Sequence, residues 1–169
     1  MGTLFTSVYD RFLGKITDDM YMELTPLDTL KDLQNLLINA IPGFEFPRIK
    51  LDFTLGEFEV SAEELSYNDT SIFEEELSSE EINIIAILML EGWLQRQVTS
   101  IENTRQKYSG TDFKMTSQAN HLAKLLVLLA EVQRQSHHYQ RLYKRRKHDK
   151  DGHIKSNWSV LRGVSALDD

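Results

Sequence analysis

Apolar residues dominate one stretch in the middle of the chain, covering residues 82–90. Ser78 can cap a helix at this point, and Glu81 stands three residues later, which is the spacing of a capping box. A helix that is apolar on all its faces is buried on several of them. The pattern therefore predicts a central helix over about residues 79–107. We expect the deeply buried side chains of this helix to include Ile85, Leu88, Met89 and Trp93.

Three other segments have the spacing of a helix with one apolar face. The first covers about residues 3–16. The second covers about residues 26–41, where Thr25 can act as the cap and Pro26 suits the first helical position. The third begins near residue 117 and continues to about residue 147, because no residue before that point would end it.

Residues 44–77 follow a different pattern, in which apolar residues are mostly spaced by two with charged residues between them. Such alternation predicts short strands. Leu55-Gly56 and Asn68-Asp69 are turn signals. We interpret the segment as a β-hairpin or arm inserted between two helices, with an acidic outer face.

These patterns predict a mainly α-helical fold, a small bundle around the central buried helix with an inserted β-arm and an extended C-terminal tail. The central helix should pack against the helices near residues 26–41 and 117–135. We divide the chain into a helical domain, residues 1–135, and a basic C-terminal helix extension and tail, residues 136–169. Past Arg134 the last helix loses its apolar face, and an exposed helix gains little stability by itself. We therefore expect this extension to dock on a partner.

Composition and motifs limit the possible functions. The chain has no cysteine, which excludes disulfides and thiolate chemistry. The apolar run is too short to cross a bilayer, and no signal peptide is expected, so we predict no membrane association. Residues 149–152 begin like a calcium loop but lack its later glycine and glutamate. With no phosphate loop, nucleophile elbow or paired metal ligands, we predict no enzyme, no catalytic residues, no cofactor and no metal site.

Charge is divided between the two halves of the chain. Residues 1–95 contain 19 acidic and 5 basic side chains, whereas residues 96–169 contain 7 acidic and 14 basic ones. Such asymmetry suits electrostatic complementarity between subunits. We assign inter-subunit contacts to acidic residues of the β-arm and the segment that follows it: Glu57, Glu59, Glu63, Glu64, Glu74, Glu75 and Glu76. We assign docking on a partner to C-terminal residues: Arg141, Tyr143, Lys144, Arg145, Arg146, Lys147, Lys155, Trp158, Leu161 and Arg162.

The basic tract from residue 139 to 147 has three interpretations. It can dock on an acidic protein surface, contact nucleic-acid phosphates, or stabilise the end of its own helix through the helix dipole. The dipole accounts for two or three bases, but not for the further Lys150 and Lys155. The acidic first half of the chain favours protein docking.

Two stretches resemble the neck proteins of tailed bacteriophages, the head–tail connectors or adaptors. The first runs from residue 21 to 48, including Asn39-Ala40-Ile41-Pro42. The second runs from Leu77 to Leu94 and is followed by Thr111-Asp112-Phe113-Lys114. The resemblance covers about residues 20–130 and lies in the overall pattern.

The resemblance implies a structural protein of the virion, present in the host cytoplasm during assembly. Such proteins form a homo-oligomeric ring, commonly a dodecamer, that joins the portal protein to a further neck or tail protein. DNA passes through the channel without sequence-specific binding. No catalytic residue is implied. The alternative from the residues themselves is a DNA-binding packaging or regulatory protein that uses the basic C-terminal segment.

Overall fold

The computed structural model describes residues 2–16, 21, 24–61, 66–107 and 116–146. The described helices are α1 (Phe5–Leu13), α2 (Pro26–Ala40), α3 (Ser79–Lys107) and α4 (Thr116–Arg145). A short 3-10 helix, Ile41–Gly43, extends α2. The described strands are β1 (Thr3–Leu4), β2 (Phe53–Thr54), β3 (Phe58–Ser61), β4 (Ser66–Asp69) and β5 (Ile72–Phe73). The mainly helical fold with a small sheet of short strands confirms the fold class.

Both predicted helix caps are present. The Thr25 hydroxyl accepts a hydrogen bond from the Asp28 backbone N–H at 3.2 Å, and Pro26 occupies the first turn of α2. At the start of α3, the Ser78 backbone N–H and hydroxyl each donate to the Glu81 carboxylate at 2.7 Å. The Glu81 backbone N–H donates back to the Ser78 hydroxyl at 3.3 Å. This reciprocal pair satisfies backbone groups that the helix terminus would otherwise leave unpaired.

The central position of α3 is confirmed. Its predicted bounds agree with the structure, and its apolar first half is buried against α1, α2 and α4. Ile85 and Met89 have no exposed surface, and Trp93 is 8% exposed. Because this segment is apolar all round, it can be covered by three helices at once.

Helices α3 and α4 run antiparallel. The Gln133 side chain donates to the Glu91 carboxylate at 3.1 Å in the middle of the pair. The Arg146 guanidinium donates to the Glu80 carboxylate at 2.8 Å where α3 begins and α4 ends. The C-terminal end of α4 therefore lies beside the N-terminal end of α3.

The strands form two small sheets. In the first, β5 lies between β1 and β2 and pairs antiparallel with both; in the second, β3 pairs antiparallel with β4. Helix α1 begins at Phe5 rather than at residue 3, because Thr3 pairs with Phe73 in the first sheet. The apolar residues from 44 to 51, which the alternation placed in strands, lie outside the strands of the structure.

The two predicted turns have different outcomes. Gly56 lies in the connection between β2 and β3, where an added Cβ would stand 2.1 Å from the Thr70 hydroxyl oxygen, so only glycine fits. Asn68 and Asp69, in contrast, belong to β4, so the second turn prediction is wrong. Asp69 is fully buried and accepts hydrogen bonds from the Tyr9 hydroxyl at 2.7 Å and from the Ser71 backbone N–H at 2.9 Å. A buried carboxylate is stable only with hydrogen-bond partners, and Asp69 has them at its position in β4.

The last helix stays in the core for longer than its sequence indicates. We expected the helix past Arg134 to leave the domain, and for the residues up to 146 this expectation is wrong. Ser136, Gln140 and Tyr143 are each 3% exposed or less. The Gln140 side chain accepts a hydrogen bond from the Glu45 backbone N–H at 2.8 Å and donates to the Ser136 hydroxyl at 3.3 Å. The buried face of α4 therefore continues past Arg134 with hydrogen-bonded polar residues. The spacing of apolar residues in the sequence cannot reveal a buried face of this kind.

Candidate functional site

The C-terminal end of α4 is anchored by Tyr143. Its hydroxyl donates a hydrogen bond to the Glu81 carboxylate, the same group that caps α3. Burial, and then the neighbouring Glu81 carboxylate, raise the pKa of Tyr143 above its usual value, so the phenol stays neutral and can donate. The Arg48 guanidinium lies 4.0 Å from the centre of the Tyr143 ring and donates to the Tyr143 carbonyl oxygen at 2.5 Å. One residue thus joins α4, the start of α3 and the segment after α2.

Three residues of the predicted docking set contact residues of other elements of the chain. The assignment of Tyr143 to a docking surface is wrong, because its side chain is 1% exposed. Arg146 is exposed, but it forms a salt bridge with Glu80 at 2.8 Å. The Lys144 ammonium stands 3.8 Å from the centre of the Phe46 ring. Part of the basic tract therefore attaches the end of α4 to other elements of the chain, and the interpretation through the helix dipole stays a prediction.

Arg141 and Arg145 remain on the surface. With Arg134 and His138 they follow the spacing i, i+4, i+7 and i+11. Since an α-helix turns about 100° per residue, the four side chains fall within a sector of about 60° on one face of α4. All four are exposed. We call these residues, Arg134, His138, Arg141 and Arg145, the basic stripe.

The acidic residues assigned to subunit contacts are exposed wherever the structure describes their side chains. Glu57 and Glu59 lie at and near the start of β3, and Glu74 to Glu76 precede α3. Because α4 ends beside the start of α3, Glu74 to Glu76 and the end of α4 lie at the same end of the α3–α4 pair. Their pairing with cations of a neighbouring subunit stays a prediction. The other assigned residues lie outside the described side chains: Glu63, Glu64, Lys147, Lys155, Trp158, Leu161 and Arg162.

The first half of α4 exposes an apolar surface that the sequence analysis did not identify. Leu126, Val127 and Leu128 are 45%, 72% and 48% exposed. In the sequence Leu126 belongs to the apolar face of its helix and Val127 and Leu128 widen that face, so periodicity gives no signal that they face outward. We call these three residues the apolar patch.

The apolar patch borders a groove of about 510 Å³ between the end of α1 and the helices α3 and α4. Leu128 belongs both to the patch and to the wall of the groove, and Leu125 and Trp93 line the groove as well. In the described part of the chain, the Trp93 indole N–H is buried without a hydrogen-bond partner. The patch and the groove meet at Leu128, and the groove is lined by apolar residues together with Lys15, Gln97 and His121.

The described residues contain no cluster of three or more histidine, aspartate or glutamate side chains that could hold a metal ion. The buried carboxylates of Asp69 and Glu81 are held by hydrogen bonds within the fold. None of the described helices combines the length and the apolar character needed to cross a membrane.

Comparison with known proteins adds no further constraint. No protein family matches the chain, and neither a similar curated protein nor a similar solved structure was found. The surfaces described above are therefore the basis for a functional assignment.

Proposed function

We propose that this protein is a structural subunit of the neck of a tailed bacteriophage. Its copies form a ring, a dodecamer by the resemblance, that joins the portal protein to a further neck or tail protein. The ring continues the DNA channel of the virion and assembles in the host cytoplasm. The protein is not an enzyme in this proposal, and DNA passes through the channel without sequence-specific binding.

The apolar patch and its groove carry this proposal. Soluble proteins rarely leave a contiguous apolar surface exposed to water, and such a surface commonly marks a site of protein interaction. Covering such residues with a neighbouring subunit removes them from water and contributes about 25 cal/mol for each Å² of apolar area buried. A protein whose most apparent surface feature is such a patch is suited to assembly.

A closed ring also needs two different surfaces on each subunit, so that one surface of each copy meets the other surface of the next. The apolar patch supplies one of them. The exposed acidic residues Glu57, Glu59 and Glu74 to Glu76 are proposed to lie at the contact with the neighbour's basic residues. The resemblance of residues 20–130 to connector proteins is the reason for proposing a ring and for proposing the portal protein as its partner.

Assembly can be tested through the most exposed residue of the patch. Val127→Asp places a charge at the proposed contact and should reduce the fraction of oligomer, measured by light scattering after size-exclusion chromatography. Asn120→Asp is the matched control, because Asn120 is exposed on the same helix and the change in charge is the same. Negative-stain imaging, with and without portal protein, gives the ring size. Wild-type protein that stays monomeric at all concentrations, alone and with portal, would overturn the proposal.

The second candidate is a DNA-binding packaging or regulatory protein, which the basic stripe favours. A regulator requires discrimination between sequences, typically by a factor of about 10³ or more over non-specific DNA. Competition between unrelated duplexes distinguishes the two candidates, since a connector should bind them equally.

A further inference from the structure

The basic stripe has features that the stability of α4 does not require. It spans eleven residues, or about 16 Å of helix at 1.5 Å per residue. It lies on the exposed side of α4, whereas Ser136, Gln140 and Tyr143 form the buried side. The sequence has no acidic residue between Glu131 and Asp149. The stripe is thus a straight row of three arginines and one histidine along the helix.

We propose that the basic stripe binds the phosphate backbone of nucleic acid without reading the base sequence. Arginine presents a planar fork of donors that matches phosphate oxygens, and three of the four stripe residues are arginines. Neutralising phosphates releases condensed counterions, which is the main source of non-specific affinity for DNA. A row of guanidinium groups along a straight helix can follow successive phosphates of one strand.

Intramolecular pairing leaves most of the stripe available. Within the described part of the chain, no carboxylate lies in salt-bridge distance of Arg141 or Arg145. The Arg141 Nε donates to the His137 carbonyl oxygen at 3.3 Å, which keeps its positive charge uncompensated. Arg134 pairs with Glu131 at 2.5 Å, but its side chain is 75% exposed. An ion pair so open to water contributes little and is readily exchanged for another anion.

The composition of the stripe favours phosphate over an acidic protein surface. A protein interface is built around buried aromatic or apolar anchors. The exposed apolar side chains of this half of α4, Tyr139 and Leu142, lie about 80° to 140° around the helix from Arg134 and so outside the stripe. Between residues 134 and 145 the stripe consists of basic side chains only, which is typical of contacts with nucleic-acid backbone.

The test is the salt dependence of DNA binding by the full chain. A labelled duplex of about 30 base pairs is titrated by fluorescence anisotropy in potassium chloride between about 50 and 200 mM. Each arginine that contacts a phosphate contributes about 0.9 to the slope of log K against log salt. The variant R141Q/R145Q should therefore have a slope shallower by about 1.8. Across this range the wild-type protein should lose about 12-fold more affinity than the variant.

The matched control is R11Q/K31Q, which removes two exposed cations on α1 and α2 and should leave the slope unchanged. Melting temperatures of both variants show whether they fold. An equal loss of slope in both variants, no DNA binding at about 50 mM salt, or equal competition by a polyglutamate peptide would overturn the assignment. The last result would identify an acidic protein as the partner. The inference does not rest on ring formation, because the assay reads DNA binding whatever the oligomeric state.

Discussion

The buried hydroxyl of Tyr143 gives the most direct test of how α4 is attached. Tyr143→Phe removes one donor from the Glu81 carboxylate, which keeps its two hydrogen bonds from Ser78 at 2.7 Å. The ring stays in place between Phe44 and Arg48, with the Phe44 ring centre 5.4 Å away. The change therefore removes the hydrogen bond to the charged Glu81 carboxylate, together with the longer one that the hydroxyl accepts from the Arg48 backbone N–H at 3.3 Å.

The expected cost follows from the surroundings of this bond. A hydrogen bond to a charged group contributes about 1.5–3 kcal/mol, and Tyr143 is 1% exposed, so water cannot replace it. We take about 2 kcal/mol, which lowers the melting temperature by roughly 4–8 °C for a chain of this length. Tyr143→Ala also leaves a cavity, and should cost about 3–5 kcal/mol in total.

Urea denaturation followed by far-ultraviolet circular dichroism measures these differences. The matched control is Tyr139→Phe, on the same helix, where the tyrosine is exposed and its hydroxyl has no partner among the described residues. That change should alter the free energy of unfolding by less than about 0.5 kcal/mol. If the two phenylalanine variants unfold alike, the end of α4 is not held by the Tyr143–Glu81 hydrogen bond.

Three further predictions concern pH and chain length. Burial, and then a carboxylate partner, raise the pKa of Tyr9 and of Tyr143. Their contribution to the free energy of unfolding should therefore be constant below about pH 10 and fall above it by up to about 1.4 kcal/mol per pH unit for each tyrosine. A flat profile in alkaline urea titrations would contradict this. The Arg96 guanidinium lowers the pKa of Asp32. This pair therefore stabilises the fold above about pH 4 and loses its effect as the pH falls through the lowered pKa. Arg96→Gln should make the melting temperature less sensitive to acid, as measured by thermal melts. Deleting residues 147–169 should leave the helical signal and melting temperature nearly unchanged while abolishing capture by portal protein, and a truncated chain that fails to fold would show that the segment belongs to the core.

The sequence predicts the helices well because local signals and periodicity agree there. Ser78 and Glu81 mark the start of α3, and the capping box is present in the structure. Thr25 and Pro26 mark the start of α2 in the same way. The apolar run that follows Glu81 is buried as expected, since no face of it can be exposed to water. These features depend on residues close in sequence, so a pattern can show them.

The failures concern residues whose partners are distant in sequence. Asp69 looks like a turn residue, but its partner Tyr9 is sixty positions away in the chain. Gln140 and Tyr143 look like surface residues of an exposed helix, and their partners Glu45 and Glu81 are supplied by other elements. A polar side chain is stable in the core only when such a partner is present. Local composition cannot show that partner.

The surfaces of α4 follow from how its inner face is held. The helix is 30 residues long, about 45 Å, and it is fixed to α3 in its middle by Gln133 and at its end by Tyr143. Because the backbone is held at both points, the positions at which the stripe side chains leave the helix are fixed. A fixed row of cations loses less conformational freedom on binding a regular row of phosphates than a flexible tail would. The polar residues that make the inner face hard to recognise in the sequence are therefore the ones that fix the backbone carrying the basic stripe.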